Sequence, residues 1–188
     1  MNSALFLDRD GVINVDYGYV HAKDNFVFNE EIFDLVSFAN SKNFLVIVVT
    51  NQAGIGKGLY TEEDFNILTK WISEKFISNN GKIEKTYFCP YHKEAIIEKY
   101  KKNSPDRKPL PGMIYKACKE FNIDPTTSLL VGDKISDIEA GISANIGKSI
   151  YYGVDSCNLA YSSVSKLCDI KKELIFCNKK SDKSLSTI

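Results

Sequence analysis

Many features that would mark a special environment are missing from this chain of 188 residues. Basic and acidic residues number 24 each, so the formal net charge is zero. No overall field therefore draws the chain to nucleic acid or to an anionic membrane. The cysteines, Cys89, Cys118, Cys157, Cys168 and Cys177, include no C-x-x-C pair. An odd, scattered set is not a disulfide framework and implies reduced thiols in a cytosol. The longest unbroken apolar run covers residues 44–49, far short of the roughly 20 residues of a membrane helix. The N-terminus enters a strand directly, without the basic and apolar pattern of a signal peptide. There is no internal repeat and no Gly-Lys-Ser/Thr of a P-loop. These absences predict a cytoplasmic protein, expected to be a monomer, with no membrane or nucleic-acid partner.

What is present is ordinary in bulk: 44% hydrophobic and 26% charged residues, the balance of a soluble globular domain. Residues 1–177 are read as one domain, long enough to bury a core. Residues 178–188 are polar and rich in Ser and Lys, and are expected to form a disordered tail. Short apolar runs at Ala4-Leu5-Phe6-Leu7, residues 44–49, Ser128-Leu129-Leu130-Val131 and residues 148–152 read as buried strands. Residues 83–88 give a less regular one. Between them, apolar residues recur at helical spacing: Ile32, Leu35, Val36 and Ala39; Phe65, Leu68, Ile72 and Phe76; Ile114, Ala117, Cys118 and Phe121; Ile135, Ile138 and Ile142. Thr61-Glu62-Glu63-Asp64 has the form of a capping box, and Trp71 is expected to pack at its helix's edge. Alternating strands and helices predict an α/β fold, an open, mostly parallel sheet with helices on both faces. Residues 159–176 are expected to hold one short helix or edge element.

The chemistry-bearing residues fall at strand ends. Asp8 and Asp10 follow the first strand, with Gly11 next. In α/β sheets ligands bind at the carboxyl ends of the strands, and two adjacent acids there repel one another without a cation. Hard oxygen ligands suggest Mg²⁺. Thr50-Asn51-Gln52 ends the second strand and leads into a stretch with Gly54, Gly56 and Gly58, either a flexible loop or a phosphate cradle. Gly132-Asp133-Lys134 ends the fourth strand, with Asp137 beyond. Residues 89–111 lack regular periodicity and carry Arg107 and Lys108 amid prolines; connections this long are functional or disordered. The run Glu98-Lys99-Tyr100-Lys101-Lys102 within it reads as a solvated face.

The order of these motifs resembles the haloacid dehalogenase superfamily: a D-x-D-G strand end, a Thr strand end, a lysine and a G-D-x-x-x-D motif. Leu7-Asp8-Arg9-Asp10-Gly11-Val12-Ile13-Asn14, Asp16-Tyr17-Gly18-Tyr19-Val20, Val49-Thr50-Asn51-Gln52, Arg107-Lys108-Pro109 and Val131-Gly132-Asp133-Lys134 look more closely like the D-glycero-D-manno-heptose 1,7-bisphosphate 7-phosphatases and the related histidinol-phosphate phosphatases. The resemblance covers residues 3–153. It implies a Rossmann-like domain without a large cap, hydrolysing a sugar phosphate in nucleotide-activated heptose synthesis for capsule or lipopolysaccharide. Asp8 would be the nucleophile and Asp10 the acid and base. Asp8, the backbone carbonyl of Asp10, and Asp133 would hold Mg²⁺. Thr50, Asn51 and Lys108 would hold the transferring phosphoryl group. Asp16, Tyr17, Gly18, Tyr19, Gln52, Arg107 and Lys134 would contact the rest of the substrate, although Lys134 has a second reading as a partner of Asp133 or Asp8. Arg9 is expected to project away from both acids and serve structure.

The chain departs from this family's pattern in the long loop. Many members hold a structural zinc there through a C-x-H pair and a later C-x-C pair. Here Cys89 is followed by Tyr91 and a displaced His92, and Ser104 and Asp106 stand in the later pair. Structural zinc takes four N/S ligands, so no zinc is expected. Rival readings are a histidinol-phosphate phosphatase, which would favour an acid in the pocket where Arg107 and Lys134 stand, and a non-catalytic phosphate-binding domain.

Overall fold

The computed structural model describes residues 1–181, with residues 176–181 as backbone alone. Six strands form one sheet: β1 (Ala4–Leu7), β2 (Leu45–Asn51), β3 (Lys85–Cys89), β4 (Leu129–Gly132), β5 (Lys148–Tyr152) and β6 (Ser162–Val164). Their order is β3-β2-β1-β4-β5-β6 and every pairing is parallel. The continuous apolar runs are explained by burial on both faces. Leu5 and Leu7 of β1 join one core layer with Leu35, Leu68 and Phe76, while Ala4 and Phe6 join the opposite layer with Ile114, Ala117 and Ala140. Leu7 pairs with Val48 of β2 on one side and Val131 of β4 on the other.

The helices are α1 (Ile32–Ser41), α2 (Ala53–Gly56), α3 (Glu62–Ser78), α4 (Gly112–Phe121), α5 (Ile135–Ser143) and α6 (Ile170–Ser181). Thr61 and Asp64 close the capping box at the start of α3, which satisfies otherwise orphaned N–H groups. Trp71 sits edge-on to Phe26 at 5.7 Å and tilted against Phe28 at 5.6 Å, packing on the α1 side of the core. At the C-terminal end the chain forms both β6 and α6 rather than one element. Helix α6 takes in residues 178–181 of the expected tail; residues 182–188 lie outside the described part. Among the described residues no helix is long and apolar enough to cross a membrane.

Two irregular segments follow their own logic. The glycine-rich stretch is no cradle: Gly54 and Gly56 are buried in α2. A side chain at Gly54 would occupy the place of the Tyr60 ring, and one at Gly56 would meet the Pro90 carbonyl. The loop between β3 and α4 packs Ala95 and Tyr100 against Ile55, Tyr60 and Phe65 in a small separate core. Its charged run is exposed except for Tyr100, whose hydroxyl donates to Glu62. From β1 the chain winds outward through β2 and β3, then returns to β4 and winds the other way. The crevice above the carboxyl end of β1 is therefore the switch point where open α/β sheets take ligands.

Candidate active site

A cavity of about 550 Å³ opens at that switch point, and its walls include Asp8, Asp10, Thr50, Arg107, Lys108 and Lys134. Asp8 continues the β1–β4 ladder, its N–H donating to Val131 O at 3.0 Å. Its Oδ1 accepts the Arg9 N–H at 2.7 Å and lies 2.9 Å from Lys108 Nζ. Lys108 reaches in from the long loop and is 4% exposed. Its ammonium has three directed partners: Asp8, Asp137 Oδ1 at 2.6 Å and Val49 O at 2.8 Å. Asn51 clamps its backbone from both ends, donating to Lys108 O and accepting from Lys108 N, each at 3.1 Å. Burial lowers the Lys108 pKa, but the charges of Asp8 and Asp137 outweigh it and hold the ammonium above its ordinary value.

Asp10 is held entirely by donors. Arg9 Nη2 reaches both of its oxygens at 2.8 Å, Asn14 Nδ2 reaches Oδ1 at 3.1 Å and Gln52 Nε2 reaches Oδ2 at 3.0 Å. This corrects the expectation for Arg9. The strand stops at Leu7 and the chain turns, Ile13 N–H bonding back to Arg9 O at 2.8 Å. The guanidinium thus folds onto Asp10 and donates to Val20 O at 2.6 Å. Gly11 follows at φ 98°, and a side chain there would collide with the Asp133 carboxylate. Glycine is what lets the ends of β1 and β4 meet.

Asp133 brings a third acid. Oxygens of Asp8, Asp133 and Asp137 lie within 4.8 Å of one another, the one such group of three among the described residues. Asp133 Oδ1 is buried with no hydrogen-bond partner among the described residues. Burial pushes Asp8 up to about 7 against the pull of Lys108, and pushes Asp133 up to about 6. A cluster of desolvated carboxylates with an orphaned oxygen fits a hard divalent cation, which reverses both penalties. Within the cluster Asp137 is otherwise engaged, Oδ1 by Lys108 and Oδ2 by Lys134 N at 3.0 Å. That leaves Asp8 and Asp133 as the carboxylates with oxygens to offer. The Asp10 side chain is taken up by its donors and is not part of this group of three.

The outer wall is looser. Lys134 Nζ pairs with Asp16 Oδ2 at 2.9 Å and lies 3.8 Å from Asp133 Oδ2, so its second reading is realised in part. Burial disfavours its charge, yet the bond to Asp16 holds its pKa above the ordinary value. Arg107 donates to Tyr91 O at 3.3 Å. Asp16, Gly18, Tyr19 and Gln52 line the cavity as expected. Tyr17 does not. Positive φ at Gly18 (79°) and Tyr19 (52°) turns the loop, so Tyr19 lines the cavity while Tyr17 is 65% exposed and borders a separate surface hollow. Asn51 and Gln52 also differ from plain substrate contacts, because their amides are engaged by Lys108 and Asp10. Sequence reasoning left Asp137 without a role and passed over Tyr60 and Ser136, which also line the cavity. The G-D-x-x-x-D spacing was the available signal for Asp137; Tyr60 and Ser136 had none.

Comparison with known proteins agrees with this geometry. Residues 94–150 match the haloacid dehalogenase-like hydrolase family. The chain is 52% identical over 149 residues to the D-glycero-alpha-D-manno-heptose-1,7-bisphosphate 7-phosphatase of Burkholderia mallei, covering 79% of each chain. It is 40% identical over 147 residues to the D-glycero-beta-D-manno-heptose-1,7-bisphosphate 7-phosphatase of Escherichia coli, 78% of this chain and 77% of that one. In fold it is similar to the D,D-heptose 1,7-bisphosphate phosphatase of B. bronchiseptica, solved with magnesium and phosphate. That likeness has a TM-score of 0.79 at 19% identity, over 93% of this chain and 98% of the other. On the strength of these relatives, this chain belongs to the haloacid dehalogenase-like family of the heptose-1,7-bisphosphate 7-phosphatases.

Proposed function

We propose that this protein removes a phosphate from a sugar bisphosphate, D-glycero-D-manno-heptose 1,7-bisphosphate, through an aspartyl-phosphate on Asp8. The observation that carries the reading is the arrangement around Lys108, whose ammonium fixes Asp8 Oδ1 at 2.9 Å inside a cavity with further cations. Asp8 Oδ2 accepts no hydrogen bond among the described residues, and a carboxylate oxygen of Asp8 attacks phosphorus while the sugar alkoxide leaves. Asp10 gives that alkoxide a proton and then takes one from the water that hydrolyses the intermediate. Thr50 donates to the transferring phosphoryl oxygens. Lys108, whose three N–H groups are already directed to Asp8, Asp137 and Val49 O, stabilises them by its charge, and Asn51 keeps Lys108 in place. Asp8, Asp133 and the Asp10 carbonyl would hold Mg²⁺, which when bound offsets the charge between anionic nucleophile and anionic substrate. Arg107 and Lys134 supply cations for the second phosphate, with Arg107 offering forked geometry.

The same reading leaves the long loop without zinc. Asp106 pairs with Lys116, the Cys89 thiol points at Tyr91 O, and the His92 ring accepts from Glu94 N–H. The satellite core around Tyr60 and Tyr100 supports the loop instead.

Two measurements test the proposal. Asp8→Asn is expected to abolish phosphate release, and unchanged release would overturn the nucleophile. The value of kcat/KM is expected to favour heptose 1,7-bisphosphate over histidinol phosphate, a monophosphate with no use for the second cation site. The reverse preference would overturn the substrate.

A further inference from the structure

Tyr60 lies away from the strand ends, yet it is joined to Asp10 through a single side chain. Its hydroxyl donates to Gln52 Oε1 at 2.6 Å. A glutamine amide has one acceptor end and one donor end. With the acceptor taken by Tyr60, the donor end faces Asp10 Oδ2 at 3.0 Å and Thr50 Oγ1 at 2.8 Å. Gln52 and Thr50 are each 1% exposed, so bulk water cannot replace a missing partner. The Tyr60 ring is itself fixed: it stacks on His21 at 4.9 Å with an interplanar angle of 6°. On another side it fills the notch left by Gly54. Burial pushes the hydroxyl up to about 12, so it remains a donor at neutral pH.

An amide can turn over with almost no change of shape, exchanging its donor and acceptor ends. Turned over, Gln52 would present Oε1 to the Asp10 carboxylate, acceptor against acceptor. The Tyr60 hydroxyl opposes this in part: its oxygen could accept from the NH₂ group, but its proton, now on Gln52 Oε1, would be left without an acceptor. We propose that Tyr60 is a positioning residue that acts through Gln52 to hold Asp10 at the angle from which it gives its proton to the leaving group. The inference rests on the acid role of Asp10 proposed above.

The test uses leaving groups that differ in their need for a proton. A sugar alkoxide needs one, whereas the phenolate of p-nitrophenyl phosphate leaves without it. The value of kcat/KM covers the steps through P–O cleavage and excludes later hydrolysis of the intermediate. Tyr60→Phe is expected to lower kcat/KM on the sugar bisphosphate about tenfold, roughly the weight of one hydrogen bond, and on p-nitrophenyl phosphate less than about twofold. Tyr60→Met, which also removes the hydroxyl while filling the notch beside Gly54, should show the same selectivity and covers the case in which Tyr60→Phe fails to fold. Asp10→Asn is the reference. If it is selective while the Tyr60 variants lose both activities equally or lose neither, the positioning role is wrong and the acid role stands. If Asp10→Asn is not selective, the acid role falls and the positioning role with it.

Discussion

Lys108 is the residue on which the buried charges depend. It is the cation in contact with two carboxylates that are nearly inaccessible to solvent, Asp8 and Asp137. Removing one partner from such a cluster leaves charge uncompensated, which costs about 3–5 kcal/mol. Lys108→Met is therefore expected to lose roughly that much stability in urea denaturation without added metal, along with all activity. Lys134→Met makes the contrast: its partner bond is at a side chain 53% exposed, and pairs of that kind contribute about 0–1 kcal/mol. At this scale the legible residues were those with an address. Asp8, Thr50 and Asp133 follow apolar runs, and a strand end says where a side chain stands. Tyr60 has no such address, since its importance comes from Gly54 and Gln52 closing around it in three dimensions. Arg9 was misread for the same kind of reason: alternation along an extended strand does not survive the turn that begins at Asp8.

Among the elements, β5 was read to the residue because both of its faces are covered, while β6 was not. Three residues of an edge strand, Ser162–Val164, carry too little apolar pattern to be seen. The α5 and β5 pair also holds a flaw. Ser149 is 4% exposed and its hydroxyl has no hydrogen-bond partner among the described residues, set where Gly141 of α5 leaves room for it. An unmade buried hydrogen bond costs about 1–3 kcal/mol. Ser149→Ala is expected to raise the melting temperature by about 2–4 °C for each kcal/mol recovered in a chain of this size, measured by calorimetry. A fall instead would mean that the hydroxyl has a partner in solution. Residues 159–176, expected to hold one short helix or edge element, hold both, and helix α6 runs on through polar residues 178–181; burial of Ile170 and Leu174 anchors it.

For the molecule as a whole, the metal site proposed at the crevice would link stability to metal. A ligand that binds only the folded state adds about 2.7 kcal/mol at a hundred times its Kd. For a chain of this size that is a rise of roughly 5–10 °C in melting temperature. Mg²⁺ is expected to produce such a rise in the unaltered protein and little in Asp133→Asn, and equal rises in both would remove Asp133 from the metal site. The α/β architecture was legible because strand and helix periods alternate from residue 4 to residue 152. The winding order was open until tertiary pairing set β1 between β2 and β4. One further property follows from where Trp71 stands. It is the sole tryptophan of the chain, and its ring is surrounded by Phe26 and Phe28, neither of which borders the cavity. Tryptophan emission therefore reports the α1–α3 side of the core and not the crevice. Optical titrations of ligand must turn to the tyrosines of the cavity wall, Tyr19 and Tyr60, while the native indole is already a gauge of unfolding.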